Sequence, residues 1–425
     1  MKKNTIYISL CLLFFSHLGT KTLAQTTDSL SYYINVAVQN NPAIKAQQFA
    51  QEAFLEKIPQ AGAFQDPELS IEAYTTPMDV LGGRSLANFG VMQMFPWFGT
   101  KKAAKTEAIH QAKVQDEQSR TLVNELILQV SSQWYALLQL KEQLKNNQEN
   151  KILLEQLEQL ATRKYAVGAN SGGMSDVLRI QLEIVELDNN IESLQSKIKA
   201  EKAIFNALLN RNADDIVHLG KEIQAIDYLF DENEILSTIE KNNPQLNIIQ
   251  EQGLAYRAKA EVDRKKSYPM IGVGLQYMLI GKTQHEMFAM GNMNGDDMIM
   301  PMVTMSLPIF RKKYQAKQNE AQLWWKSSEQ NYQNTLNTLK SEFYALKNQL
   351  DDAQRIIGLY EKQSTLAKTT YQLIVQEFTT GKSDLTNVIQ VHRQLLDYQL
   401  KKAEATANYN TLVASIQKLT ANNAQ

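Results

Sequence analysis

The stretch MSDVLRIQLEIVELDNNIESLQSKI, residues 174–198, carries apolar side chains at Val177, Ile180, Ile184, Leu187, Ile191, Leu194 and Ile198. The steps alternate three and four without a miss, the seam of a helix that packs lengthwise on another helix. A second seam starts at Val388 and runs through Val391, Leu395, Tyr398, Ala405, Tyr409, Leu412, Ile416 and Leu419, interrupted only by Lys402. Val177 and Val388 begin these two seams in register, 211 residues apart. A third seam runs from Leu336 to Phe378 and breaks only at Ser364, and a patchier one runs from Val123 to Leu144. Strict seven-residue periodicity predicts left-handed supercoiling.

Working outward, neither Gly nor Pro occurs between Gly99 and Gly168, between Gly173 and Gly220, or from Lys382 to Gln425, and between Ile309 and Thr380 only Gly358 intervenes. These segments are rich in Ala, Leu, Gln, Glu and Lys, good helix formers. They predict helices over about 100–166, 174–210, 310–379 and 383–420. The first would be on the order of 100 Å long at 1.5 Å per residue. The alternative, core helices of a globular bundle, fits poorly, because such helices average about 11–12 residues.

The chain also repeats itself. Asn40-Asn41-Pro42 recurs as Asn242-Asn243-Pro244, Phe95-Pro96-Trp97-Phe98 as Leu307-Pro308-Ile309-Phe310, and Tyr165-Ala166-Val167-Gly168 as Phe378-Thr379-Thr380-Gly381. Two halves, 25–220 and 221–425, therefore share one plan: short helix, Asn-Asn-Pro, helix, two extended segments, very long helix, glycine turn, long helix.

The extended segments lie at about 67–77, 86–96, 268–279 and 299–308. Leu69, Ile71 and Ala73 alternate with Ser70, Glu72 and Tyr74, and Ile271, Val273, Leu275 and Tyr277 with Gly272, Gly274, Gln276 and Met278. Period-two alternation marks strands with two unlike faces. The second segment alternates poorly, so its facing stays open. Each segment is about 10 residues, enough for a tilted strand to cross a bilayer, and Tyr74, Phe95, Trp97, Phe98, Tyr268, Tyr277 and Phe310 cluster near the ends, where membrane barrels carry aromatic girdles. Four strands cannot close around a pore, and open edges in lipid leave backbone groups unpaired. Pooling strands between copies solves this, and three copies give twelve strands, wide enough for a lumen. The fold class expected is mainly α with a β membrane part: antiparallel coiled-coil helices forming an α-barrel, and four strands per chain completing a trimeric twelve-stranded transmembrane barrel.

Composition narrows the function classes. The net charge of −1 over 425 residues offers no basic surface for nucleic acid. A mean hydropathy of −0.36 excludes a bundle of membrane-spanning helices. Lys2 and Lys3, an apolar run from about Ile6 to Leu18 and Thr22-Leu23-Ala24 predict a secretory signal peptide over 1–24. That run is too short for a membrane anchor. Cys11, the one cysteine, lies within it, so the mature chain is expected to hold neither disulfide nor thiolate metal site.

The duplicated plan, the two Asn-Asn-Pro helices, the Gln93-Met94-Phe95-Pro96-Trp97-Phe98-Gly99 strand exit and the two tips (Tyr165 to Gly168 with Asp176-Val177-Leu178, and Phe378 to Gly381 with Asn387-Val388-Ile389) resemble the TolC-type outer membrane efflux factors of Gram-negative bacteria. The likeness covers essentially the whole mature chain. It implies a homotrimer in outer membrane lipid, a helical tunnel in the periplasm, and docking to a periplasmic adaptor and an inner-membrane pump that supplies the energy. It also places Gly168 and Gly381 at the periplasmic tip. Family members often carry an acidic ring just after these turns, and the matching positions here are Asp176 and Arg179 in the first half, Asn387 and Gln390 in the second. Asp384, one turn earlier, substitutes for the missing acid. Equally, Asp176 and Asp384 cap their helices.

Enzyme chemistry finds no constellation. Gly281-Lys282-Thr283 and Gly381-Lys382-Ser383 resemble the end of a phosphate loop, but Gln276 and Gln376 stand where its first glycine belongs. No cofactor is expected. Eight of the 14 methionines fall between Met278 and Met305. With His285, the methionines Met287, Met290 and Met293 form a candidate soft-metal contact suited to Cu(I) or Ag(I), against the alternative of an apolar loop. No fixed ligand spacing marks a metal site. The strand exit resembles members that work with heavy-metal pumps. The function expected is thus a passive efflux duct, its cargo heavy-metal ions such as copper or silver. The alternatives are a duct for drugs or secreted proteins, and a periplasmic coiled-coil scaffold or adaptor without a barrel.

Overall fold

The computed structural model describes residues 29–166, 173–220, 222–289 and 291–421. The segment read as a signal peptide and Cys11 lie outside them. The first half runs α1 (Leu30–Asn40), α2 (Pro42–Gly62), β1 (Glu68–Ala73), β2 (Asp79–Val80), β3 (Gly83–Phe95), α3 (Thr100–Ala166) and α4 (Met174–Leu208). The second runs α5 (Glu232–Asn242), α6 (Pro244–Lys266), β4 (Ile271–Gly281), β5 (Met298–Met305), α7 (Arg311–Thr379) and α8 (Leu385–Thr420). Helices α3 and α7 have 67 and 69 residues, about 100 Å each.

The helices form two tiers along α3 and α7. Next to the sheet the packing order is α2-α3-α6-α7, and further on it is α4-α3-α8-α7. The seams fill the gaps between them. Leu336, Leu339, Phe343, Leu350 and Ala353 of α7 bury against Tyr409, Leu412, Val413, Ile416 and Leu419 of α8. At the far end, Leu154, Leu157 and Ala161 of α3 meet Val177, Ile180 and Leu187 of α4, joined by Tyr371, Phe378, Leu385 and Val388 from the other half. The third core closes α1 against the middle of α3, with Tyr33, Trp134 and Phe205 in mutual ring contact.

The repeated Asn-Asn-Pro has a structural explanation. Asn41 Oδ1 accepts from Ala43 N at 2.9 Å, capping α2, while its Nδ2 donates to Leu208 O at 3.2 Å. Asn243 does the same for α6, accepting from Gln245 N at 2.9 Å and donating to Leu419 O at 2.9 Å. One amide therefore satisfies an orphan N–H at the start of one helix and an orphan C=O at the end of another. Pro42 and Pro244 sit at the first helical position, where a missing N–H costs nothing.

All strands join one antiparallel sheet, order β1-β3-β4-β5, with the short β2 paired to β3. The first extended segment is shorter than its sequence suggests. β1 ends at Ala73, and Pro77 separates it from β2, which turns back through Gly82 (φ 90°) and Gly83 (φ 145°). A Cβ at Gly83 would stand 2.4 Å from Gly281 O, so this hairpin requires glycine twice over. No described helix is long and apolar enough to cross a membrane.

Candidate functional site

The ladder fixes what the alternation left open. Leu69-Val91-Leu275-Pro301 form one row across the sheet and Ile71-Phe89-Tyr277-Ile299 the next. The same face continues through Gln93-Val273-Val303 and Phe95-Ile271-Met305. Its side chains are exposed almost throughout, Ile71 at 64% and Val303 at 75%, an aliphatic face that no described residue covers. The opposite face carries Glu68-Met92-Gly274-Met302, Ser70-Gly90-Gln276-Met300, Glu72-Asn88-Met278-Met298 and Met94-Gly272-Thr304. It is polar, acidic toward β1 and rich in thioethers toward β5. The second segment thus points Phe89, Val91 and Phe95 with the aliphatic face and Asn88, Met92 and Met94 with the polar one.

Both tiers end in unpartnered flanks. The sheet ends in β1 and β5, whose outer edges pair with no strand among the described residues. In the far helical tier the flanks are α4 and α7. Each bears a second, exposed apolar stripe beside its buried seam: Leu178, Leu182 and Val185 on α4, and Leu359, Leu366 and Leu373 on α7, the last three at heptad spacing. An exposed stripe of that regularity is a helix-packing surface without its helix.

Where sheet meets helices, an aromatic and basic rim forms. Trp97 stacks on Tyr268 at 5.3 Å, Phe64 meets Phe95 edge-on at 5.5 Å, and Lys101 Nζ sits over the Phe64 ring. Phe64, Phe95, Trp97 and Phe98 line an apolar cleft of about 420 Å³ with Pro269 and Ile271. Lys101, Lys102 and Lys105 open α3, Arg264, Lys265 and Lys266 close α6, and Arg311, Lys312 and Lys313 open α7. Amphipathic rings beside cations at the end of an aliphatic belt suit a lipid headgroup level.

At the opposite end of the sheet, the β4–β5 connection folds onto the β2–β3 hairpin. Asp79 accepts from Thr283 Oγ1 at 2.8 Å, and His285 Nε2 lies 3.9 Å from Asp79 Oδ2. The Thr283 hydroxyl holds the Asp79 carboxyl below the usual carboxylate range. Asp297 accepts from Ile280 N at 3.0 Å and from Tyr277 Oη. His285 therefore faces a carboxylate. Met287 and Met293 are 84% and 60% exposed, and Met290 lies outside the described residues. Among the described residues, no group of His, Cys, Asp and Glu is arranged to hold a metal ion.

At the tip, Gly168 lies outside the described residues. Gly381 takes φ 76° and donates its N–H to Phe378 O at 3.2 Å, ending α7 in a left-handed turn. Asp384 caps α8 by accepting from Asn387 N at 3.0 Å, and Asn387 Nδ2 reaches Ser383 Oγ at 3.4 Å. Asp176 does not cap. Gly173 holds that position, and Asp176 sits in the first turn of α4 with Arg179 exposed beside it. Lys164 ties the two halves together here, donating to Phe378 O at 2.8 Å.

Above the tip, a polar joint interrupts the seams where composition gave no hint. Asn150 of α3 is fully buried and donates to Gln399 Oε1 at 2.6 Å, while its carbonyl faces His392 Nε2 at 3.2 Å. His392 is 1% exposed, and burial pushes its imidazole below the ordinary range. Arg393 of α8 grips Glu183 of α4, Nε to Oε2 at 2.9 Å, and Lys151 of α3 meets Asp188 at 2.6 Å. Such side chains are invisible to a pattern search because none of them is apolar.

A sheet with one aliphatic and one polar face, continued by helices some 100 Å long in tiers open at both flanks, defines the class: one protomer of a TolC-type outer-membrane channel. Residues 33–210 and 235–422 each match the outer membrane efflux protein family, and the chain belongs to that family. Solved structures of similar fold include the outer-membrane channel OprN, at 15% identity over 92% of this chain and 89% of that one, with a TM-score of 0.74. CusC matches at 14% identity over 92% and 91%, TM-score 0.75, and VceC from Vibrio cholerae at 15% over 92% and 96%, TM-score 0.72. No curated protein sequence matches this chain.

Proposed function

We propose that the chain is the passive exit duct of a tripartite efflux machine. Three copies close it: β5 of one pairs with β1 of the next into a twelve-stranded barrel in the outer membrane, and the α7 and α4 stripes meet to seal a helical tunnel in the periplasm. The observation that carries this reading is the coincidence of open flanks in both tiers of one chain. A scaffold or adaptor without a barrel has no use for an exposed aliphatic sheet face. The tips at Gly168 and Gly381 dock a periplasmic adaptor, and beyond it an inner-membrane pump drives transport. Three copies of Asp176 and Asp384 ring the constriction there, favouring cations in a narrow lumen. Capping does not exclude Asp384 from that ring, since its second carboxylate oxygen stays available.

Replacing Leu359, Leu366 and Leu373 together by Lys is expected to leave detergent-solubilised chains folded but to convert trimers into monomers in cross-linking and light scattering. Persistence of the trimer would remove the α7 stripe from the interface. For the cargo we propose heavy-metal ions such as copper or silver, supported by the thioether-rich polar face of the sheet. Deleting the gene should then lower tolerance to copper and silver salts at least several-fold while leaving bile-salt and antibiotic tolerance unchanged. The opposite pattern would make the duct a multidrug one.

A further inference from the structure

The fold brings together methionines of the sheet. Met92 and Met94 of β3 converge on β5: Thr304 Oγ1 stands 3.6 Å from Met92 Sδ and 3.7 Å from Met94 Sδ. A hydroxyl has one proton to donate, so it can engage only one of these sulfurs at a time. Between β3 and β5 lie Gly272 and Gly274 of β4, and the missing side chains make the room. A Cβ on Gly272 would stand 2.5 Å from Met94 Sδ and 3.1 Å from Met92 Sδ. One on Gly274 would stand 2.9 Å from Met92 Cε. Met302 flanks the same gap from the other side, paired with Gly274 in the row that begins Glu68-Met92. Met300 and Met298 continue that line along β5.

Gly274 is also required by the backbone, since a Cβ there would stand 2.8 Å from Val91 O, but at Gly272 the space is taken by side chains alone, Thr304 Oγ1 at 2.3 Å and the Met94 and Met92 sulfurs, so there the missing side chain makes room for converging thioethers. On this observation, and resting on the duct reading that makes this face the lumen, we infer that Met92, Met94 and Met302, with the Thr304 hydroxyl, form a transit site for a soft monovalent cation, Cu(I) or Ag(I). Thioether sulfur prefers such ions over Zn(II) or Mg(II). The ligands are neutral and carry no proton to displace, so binding is independent of pH where a His or Cys site would weaken in acid. A site of three thioethers and one hydroxyl, all weak ligands and open to the lumen, also meets the demand on any conduit, that an ion binds well enough to enter and loosely enough to leave.

The test uses the full chain purified in detergent with Cys11→Ser, titrated with Ag(I), and with Cu(I) held reduced in competition with a chromogenic chelator. One ion per chain is expected, with affinity unchanged between pH 5 and pH 7. Met92→Leu, Met94→Leu and Met302→Leu combined, which conserve volume, should weaken binding at least tenfold. Met287→Leu with Met293→Leu should leave it unchanged. X-ray absorption of the Cu(I)-loaded parent chain should give a sulfur shell, which in a cysteine-free chain means methionine. Equal binding by the triple variant, no binding by the parent chain, or a shell of nitrogen and oxygen alone overturns the site. Binding is read per chain, and trimer content and bilayer conductance are measured on the same samples. No binding by a parent chain that forms an intact conducting trimer therefore rejects the site alone, and absence of trimers rejects the duct.

Discussion

Leu275→Arg is expected to abolish assembly of the protein in the outer membrane, while Gln276→Lys, one residue further on, is expected to leave it intact. Leu275 is 53% exposed and lies in the middle row of the aliphatic face, with two rows on either side. An Arg at the bilayer midplane of a β-barrel costs roughly 2–4 kcal/mol. Threefold closure would repeat it, so the assembled barrel bears about 6–12 kcal/mol, comparable to the whole stability of an ordinary domain. Gln276 sits in the adjacent row on the opposite face, between Gly90 and Met300, where a Lys side chain reaches water.

The measurement is the amount of heat-modifiable trimer in outer-membrane fractions of cells making each variant. If both variants assemble equally, the aliphatic face does not meet lipid. If Gln276→Lys fails and Leu275→Arg assembles, the two faces are reversed, and the inferred Met92, Met94 and Met302 site faces lipid with the polar rows.

The contrast between these two neighbours also marks what the sequence could tell. In β1 and β4 the polar face is built from Ser, Glu, Gln and Gly, so period two stands out. In β3 it is built from Asn88, Gly90, Met92 and Met94, and methionine counts as apolar in any such pattern. Only the pairing of Met92 with Gly274 and Met94 with Gly272 separates the faces. The long helices were legible because burial repeats with the helical period over 67 and 69 residues. The joint around Asn150 and His392 was not, because a buried amide whose Nδ2 donates to Gln399, some 250 residues away, has no local signature. Met305 turns to the aliphatic face and Met287 to solvent, whereas Met92 and Met94 arrive from the other half of the chain.

The second large effect concerns the Asn-Asn-Pro corner, which the sequence displayed twice without revealing its purpose. Asn243 is 4% exposed and bonds to both Gln245 N and Leu419 O. Asn243→Ala removes an N-cap, about 1 kcal/mol, and leaves the Leu419 carbonyl without its donor in a buried site, about 1–3 kcal/mol. The expected total is about 2–4 kcal/mol. Asn243→Asp separates the two roles. It keeps the capping oxygen but replaces the donor with a carboxylate oxygen facing a carbonyl, so its loss should equal or exceed that of Ala despite intact cap chemistry. Asn41→Ala is expected to cost less, because Asn41 is only half-buried and its bond to Leu208 O is longer, 3.2 Å against 2.9 Å. Temperatures of trimer dissociation and rates of proteolysis near residue 420 measure these differences. If Asn243→Asp behaves as the parent chain, the amide donor is dispensable and the corner acts as a cap alone. If Asp destabilises as much as Ala, each Asn-Asn-Pro is a clasp that holds the end of a tunnel helix to the start of the helix leading toward the sheet, and the duplication of the motif follows from the duplication of that joint.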